Sequence, residues 1–272
     1  MWFSKKMLTD FNRFRLILFV SVLTMAGLAE AFWHVRRWET PRWKRWIFHL
    51  VLSLFNTVLT RVTVAIPIFH LIRFLQGERW GVSHLLGLDG MYEVIATFVL
   101  FDYLDYWWHR FNHTVPFLWR FHKPHHLDTH VDVTTALRFH PGELLLSYLA
   151  KSLWIFFWGP SLLGFVVFEA GITAYSQFHH SNIDFPDLWE KRLRWIHMTP
   201  RLHTSHHTVS LRTRSANYST VFLIWDRLFG TLKEPDFTEM KSLGLSEGRT
   251  TYLSPVAFLK SPFVLLKGRI QT

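Results

Sequence analysis

The sequence contains no cysteine among its 272 residues. This absence excludes disulfide bonds, thiolate metal ligands, iron–sulfur clusters and cysteine nucleophiles. Charged residues are also scarce, at 18% of the chain, whereas soluble domains usually carry about 25%. Hydrophobic residues make up 49% of the chain and aromatic residues 17%. The composition therefore favours a membrane protein with aromatic side chains at the lipid–water boundary.

Acidic residues are outnumbered, with 20 Asp and Glu against 30 Lys and Arg, which gives a net charge of +10. Such an excess is also found in nucleic-acid-binding proteins. Here the basic residues flank apolar runs, as in "HVRRWETPRWKRW" at 34–46. This placement favours anionic lipid headgroups as partners, and we expect no nucleic-acid partner.

Three apolar runs in the first 108 residues are long enough for membrane spans. The first lies at about 15–34, and it continues into bulky aromatic residues, which favours an uncleaved anchor over a signal sequence. The second, at about 47–75, is interrupted by Arg61 and Pro67, so it predicts either one long tilted helix or two half-crossings. The third lies at about 91–108.

A fourth apolar region, 142–176, is broken by Gly159 and Pro160. Because Gly-Pro is a strong turn signal, the region predicts a helical hairpin that enters and leaves the membrane on one side. The polar segments 109–141 and 177–240 would then emerge together and form one cap. Five basic residues within 36–45 predict that this side is cytoplasmic, although the basic N-terminus would then lie outside.

The sequence therefore predicts an all-α, multi-pass integral-membrane helical bundle with a histidine-rich helical cap on the cytoplasmic face. We expect N-terminal membrane helices at 1–90 and a catalytic domain at 91–240. A C-terminal tail at 241–272 contains a short apolar stretch, 252–266, which we expect on the membrane surface.

Histidines are concentrated in the predicted cap, where 13 of the 17 lie between residues 109 and 207. Residues four apart lie on one face of a helix and residues three apart nearly so. His-x3-His therefore offers two imidazoles to one point, and in His-x2-His-His the last ring returns to the face of the first. Pro124 disfavours helix before it, which predicts His122 at a helix entry with His125 and His126 in the first turn. Pro200 marks the start of the last cluster's helix. The clusters are "HRFNH" (109–113), "HKPHH" (122–126), "FHHSN" (178–182) and "HTSHH" (203–207).

This number of imidazoles exceeds what one ion holds, since a structural zinc takes four ligands and a catalytic zinc three. About two metal ions with four or five nitrogens each match the count, and imidazole suits Fe, Zn, Cu and Ni. Nearby carboxylates are expected to compensate the charge and support the ligands. The candidates for this catalytic role are Asp105, Glu143 and Asp226.

The order and spacing of six motifs resemble the fatty acid hydroxylase superfamily, also called the sterol desaturase family. The resemblance covers about 95–231 and implies a helical membrane enzyme with a non-haem di-iron centre held by histidines. The motifs are "DYWWHRFNH", "FLWRFHKPHH", "TTALRFHPGE", "QFHHSN", "TPRLHTSHH" and "NYSTVFLIWDRLFGT". By position, the resemblance implies as iron ligands His109, His113, His122, His125, His126, His180, His203, His206 and His207, with His140 as a tenth.

The implied reaction is O2-dependent hydroxylation or desaturation of an unactivated C–H bond in a lipid, such as a sterol or fatty acyl chain, with two ferrous ions as cofactor. Because the chain has no Rossmann, flavin or haem motif, an external donor of the cytochrome b5 or ferredoxin type is expected to supply electrons at the cap. The alternatives are a membrane zinc hydrolase, disfavoured by the lack of an HExxH motif, and a metal transporter or non-catalytic scaffold, disfavoured because the clusters lie outside the predicted spans.

Overall fold

The computed structural model describes residues 2–38, 41–246 and 254–264. These residues are mostly helical and contain no β-strand beyond two isolated bridges, as the all-α prediction requires. The helices, numbered in chain order, are α1 Trp2–Trp33, α2 Arg42–Thr60, α3 Ile66–Gly77, α4 Val82–Leu85, α5 Gly90–Thr114, α6 Pro116–His126, α7 Pro141–Trp158, α8 Leu162–His180, α9 Asp187–Leu193, α10 Pro200–His206, α11 Leu211–Arg214, α12 Ile224–Leu228 and α13 Pro255–Lys260.

Two helical segments in the described part of the chain are long and apolar enough to cross a membrane. They are Arg13–Trp33, with a mean hydropathy of 1.9, and Arg42–Leu85, with a mean hydropathy of 1.6. In the second segment, a π-helical turn at Arg61–Ala65 joins α2 to α3. Pro67 follows this turn, where the regular hydrogen-bonding pattern of the α-helix is already interrupted. The second apolar run is therefore one continuous, locally widened helix.

The break predicted between the two halves of region 142–176 is present as a turn between α7 and α8. Gly159 ends α7 with φ 69°, a left-handed conformation that glycine adopts without strain. A side chain at this position would clash, because its Cβ would lie 2.1 Å from the carbonyl oxygen of Trp80. Ser161 then starts α8 by accepting a hydrogen bond from the N–H of Gly164, at 2.9 Å. The helix–turn–helix is confirmed.

A hydrophobic core joins α3, α5, α7 and α8. Its most buried members, including Ile72, Leu75, Phe101, Ile155 and Phe168, are at most 1% exposed. Close packing of these side chains holds the helices against one another. The core fixes α5 against α8, and the C-terminal ends of these two helices carry predicted ligand histidines.

A buried ion cluster attaches α2 to the segment that follows α6. The guanidinium of Arg45 donates to Asp128 at 2.6 and 2.9 Å and to Asp132 at 3.0 Å, and all three side chains are fully buried. The sequence grouped Arg45 with basic residues at the lipid surface, and this placement is wrong. Removing one partner of such a buried pair costs about 3–5 kcal/mol, because the other charge stays buried.

Candidate metal centre

The helices that carry the HKPHH and HTSHH clusters, α6 and α10, each begin at a proline. Pro200 begins α10 as predicted, and Thr199 Oγ1 caps it by accepting from the N–H of Leu202 at 3.3 Å. In α6 the prediction is wrong, because Pro116 begins the helix and the HKPHH box forms its last turn. Pro124 is tolerated there because it removes a single backbone hydrogen bond near the helix end.

Nine of the ten predicted ligand histidines lie in two adjacent groups, and the candidate ligand atoms within each group lie within 4.8 Å of one another. Histidines four residues apart on one helix enter the same group, as spacing predicts. Group 1 contains His109, His113, His122, His126 and His206, and group 2 contains His125, His180, His203 and His207.

The Nε2 atoms within each group approach one another closely. In group 1 the separations are 3.0 Å for His206–His109 and 3.1 Å for His126–His122. In group 2 they are 2.9 Å for His203–His180, 3.1 Å for His180–His125 and 3.2 Å for His207–His203. Two nitrogens bound at about 2.1 Å and at a right angle to one ion lie about 3.0 Å apart. The spacing therefore fits neighbouring ligands of a metal ion.

The hydrogen bonds of the opposite ring nitrogens fix the tautomers. The Nδ1–H groups of His109, His206 and His180 donate to the carbonyl oxygens of Tyr218, Ala216 and Ser176 at 2.8, 2.7 and 2.7 Å. Because a carbonyl only accepts, Nδ1 carries the proton and Nε2 has a free lone pair in the neutral ring. Facing lone pairs repel each other unless a cation lies between them, so the donor set fits bound metal.

Burial keeps these rings neutral. Desolvation lowers the pKa of His122 and of His180 to about 3. The same cause, reinforced by neighbouring histidines, lowers the pKa values of the other cap ligands far below the ordinary value; these are His125, His126, His203, His206 and His207. Since a metal binds only the deprotonated imidazole, the site holds its ligands in the binding form at neutral pH.

His140 is the predicted ligand that the structure does not bring into either group. Its Nδ1 accepts from the N–H of Gly142 at 3.0 Å and thereby caps α7, while its Nε2 donates to the carbonyl oxygen of Leu259 at 3.2 Å. With both nitrogens engaged, the ring has no lone pair left for a metal. His140 therefore lies outside both candidate sites.

His180 belongs to group 2 while His179 does not, which is the choice that the family resemblance implied. The His179 ring packs on His203 with centroids 3.9 Å apart, but its Nδ1 lies 3.2 Å from the carbonyl oxygen of Thr220. His130 and His197 also lie outside both groups.

The three candidate carboxylates differ in their contacts. Glu143 Oε1 lies 2.8 Å from His122 Nδ1 and so contacts a ligand directly. Asp226 accepts from the backbone N–H groups of Tyr218 at 2.9 Å and Ser219 at 2.8 Å, and the second bond holds the peptide group whose carbonyl oxygen accepts from His109. Asp105 accepts from the hydroxyl of Thr220 at 2.7 Å.

Arg138 supports a candidate ligand histidine, and the sequence shows no sign of this role. Its carbonyl oxygen lies 3.3 Å from His125 Nδ1, and its Nε donates to the carbonyl of Pro124 at 3.1 Å. The side chain is fully buried. Residue identity gives little signal for this role, because every residue has a carbonyl and only the tertiary fold brings this one to His125.

Comparison with known proteins places this site in a family. The sequence profile of the fatty acid hydroxylase family matches residues 94–231. An alkylglycerol monooxygenase from Xenopus tropicalis is 32% identical over 56% of this chain and 33% of its own length. The ornithine lipid hydroxylase OlsE from Rhizobium tropici is 29% identical over 68% of this chain and 52% of its own length.

A third relative, the very-long-chain aldehyde decarbonylase GL1-8 from Oryza sativa subsp. indica, is 33% identical over 59% of this chain and 58% of its own length. The chain thus spans about a third to somewhat over half of the length of these relatives. No solved structure matches the chain. The family match covers half of the chain and includes all nine clustered histidines, so the chain belongs to the fatty acid hydroxylase family.

Proposed function

We propose that the protein is an O2-dependent di-iron oxygenase that hydroxylates, or desaturates, an unactivated C–H bond of a membrane lipid. The observation that carries this proposal is the pair of adjacent groups of neutral imidazoles with converging Nε2 atoms. The names of the relatives, a monooxygenase, a lipid hydroxylase and an aldehyde decarbonylase, favour oxidation of lipid substrates.

The donor set fits iron in its ferrous form. Imidazole is a common ligand of iron, and the chain offers no thiolate that an oxidant would attack. When bound, two ferrous ions would supply the O2 reduction that attack on a C–H bond requires. Group 1 would hold one ion and group 2 the other.

The residues of the chain prepare the site for this chemistry. The carbonyl groups of Tyr218, Ala216 and Ser176 hold protons on Nδ1 and aim Nε2 inward. Glu143 accepts from His122 Nδ1 and increases the basicity of that ring. Burial of the ligands excludes bulk water, which would otherwise intercept reactive species.

The apolar helices suggest how a lipid reaches the site. We place α1 and α2–α3 across the membrane, with α5 and the α7–α8 pair as further membrane segments. The histidine-bearing helix ends would then lie at the cytoplasmic surface, with the catalytic domain at 91–240. A lipid tail would then approach from the apolar side, towards the two histidine groups that would hold the ions.

The electrons would come from a partner, because no redox cofactor motif is present in the sequence. A cytochrome b5-like or ferredoxin-type donor is the expected class, docking on the cap close to the two histidine groups.

The proposal is tested by metal analysis, O2 uptake and lipid analysis together. Protein purified in detergent should contain about two iron ions per chain, as the two groups require. Cells that express the gene should accumulate a lipid with one additional oxygen atom, or one lacking two hydrogens, and this product should vanish with His207→Ala.

Two results would contradict the proposal. Zinc without iron, together with activity that needs no O2, would identify a hydrolase. Metal uptake into proteoliposomes without any oxidised lipid would identify a transporter.

A further inference from the structure

The strongest site outside the metal centre is a cavity of about 280 Å³ between the segment that follows α1 and three loops of the cap. Four cationic side chains line it, and one carboxylate, Asp184, lies among them. The cations are Arg36, Arg37, Arg201 and Lys241.

Two of these cations are already committed to the protein. Arg201 donates to Asp184 at 2.9 Å, to Asp187 at 2.8 Å and to the carbonyl of Phe185 at 2.8 Å. Arg36 donates to the carbonyl of Val131 at 3.1 Å. The lining carboxylate is therefore neutralised within the protein.

The other two cations are surplus. Arg37 and Lys241 are exposed and make no side-chain hydrogen bond or ion pair with any residue that the structure describes. They lie on different segments of the lining, one after α1 and the other in the C-terminal part of the cap. The cavity is thus lined by two positive charges that no described carboxylate pairs, which favours binding of an anion.

The walls are held in place by hydrogen bonds between segments far apart in the chain. The N–H groups of Val35 and Arg36 donate to the carbonyl and the side-chain oxygen of Asn182, each at 3.1 Å. Asn182 Nδ2 donates in return to the carbonyl of Arg36 at 2.7 Å. A preformed cavity loses little conformational entropy when a ligand binds.

The position of the cavity indicates the source of the anion. The candidate membrane span of α1 ends at Trp33, and the cavity lining begins at Val35. Trp33 and Trp43 nearby are 72% and 62% exposed, as is typical of aromatic residues at the level of lipid headgroups. An anion at this depth is most readily provided by a lipid.

We propose that this cavity binds the phosphate headgroup of an anionic membrane phospholipid, at a site separate from the metal centre. Arg37 and Lys241 contact the phosphate oxygens, and the lipid tails lie alongside α1. The assignment does not depend on the reaction that the metal centre catalyses.

The experiment measures thermal unfolding of the purified protein in neutral detergent during titration with phosphatidylglycerol, phosphatidylcholine or inorganic phosphate. Binding to the folded state raises the melting temperature in a concentration-dependent way. We expect a saturable rise with phosphatidylglycerol and none with the other two. The double variant Arg37→Gln/Lys241→Gln should bind phosphatidylglycerol about thirtyfold more weakly.

Lys191→Gln is the matched control, because Lys191 is also an exposed lysine of the cap but lies outside the cavity. It should bind phosphatidylglycerol like the wild type. Equal weakening in the control and the double variant, or no rise in the wild type, overturns the proposal. An equal rise with inorganic phosphate assigns the cavity to a soluble anion and overturns the lipid as its source. Since both replaced side chains are exposed, the ligand-free melting temperature of the double variant should match that of the wild type.

Discussion

His125 and His126 are adjacent in the chain, yet their rings belong to different histidine groups. The same division occurs at His206 and His207 at the end of α10, where the first ring enters group 1 and the second enters group 2. The HKPHH and HTSHH clusters therefore each supply both groups, because neighbouring residues on a helix point about 100° apart. The two groups share the segments that carry them, and no single histidine cluster forms a complete group.

Replacing His125 or His126 should weaken metal binding in one group while leaving every candidate ligand of the other group in place. We expect His125→Ala and His126→Ala each to lower the metal content from about two ions per chain towards one, and to abolish turnover. Elemental analysis of the purified variants measures this. His140→Ala is the control, since both nitrogens of His140 bind backbone groups. Loss of metal in the control would restore His140 as a ligand.

Glu143→Gln should keep the hydrogen bond to His122, because the amide oxygen still accepts. Burial raises the pKa of Glu143 in the metal-free site, so the charge that the variant removes is the one the carboxylate would carry beside a bound cation. Changes in groups that support a metal ligand typically cost 10–100-fold in metal affinity, and we expect about this loss. Competition with a chelator measures it. Glu143→Ala should lose more, since it also leaves His122 Nδ1 without an acceptor. Equal affinity in Glu143→Gln and the wild type would show that only the hydrogen bond matters.

The metal-free protein should lose stability on acidification. His122 and His180 have pKa values of about 3 in the fold and about 6.5 when unfolded. The unfolded chain therefore binds more protons between these values, and the free energy of unfolding falls as pH decreases from about 6.5 towards 3. Each residue should contribute a loss of about 2 kcal/mol between pH 7 and pH 5.

Denaturant titrations of the metal-free protein at both pH values measure this loss. His122→Gln removes one of the buried histidines whose pKa the fold lowers, so the stability of this variant should depend less steeply on pH. An unchanged slope would mean that His122 binds protons in the fold as readily as in the unfolded chain.

Gly159→Ala should destabilise the turn between α7 and α8. A residue with a side chain costs about 1–2 kcal/mol in the left-handed conformation, and the new Cβ would also meet the carbonyl oxygen of Trp80 at 2.1 Å. Gly87→Ala is the matched control, because Gly87 has φ 64° but a Cβ added there would have no atom within 4 Å. Thermal unfolding should show a larger loss for Gly159→Ala than for Gly87→Ala. Equal losses would mean that backbone strain, and not the close contact, sets the cost.

Much of the helical framework is predictable from short sequence signals. Pro200 and Gly159 mark a helix start and a helix end because their effects act on their own backbone and that of near neighbours. The same local reasoning failed at Pro124, since Pro116 had already begun α6 and the later proline falls in its last turn. It also failed for Arg45, whose burial depends on Asp128 and Asp132, more than 80 residues away.

The sequence by itself determined the kind of donor and which donors pair, because imidazoles four residues apart share a helix face wherever the helix lies. Only the tertiary structure decided which ring enters which group, that His140 lies outside both groups, and that the carbonyl of Tyr218 fixes the tautomer of His109. These outcomes depend on contacts between distant segments and on backbone atoms that all residues share. Packing of the whole chain sets such contacts, so no short stretch of sequence predicts them.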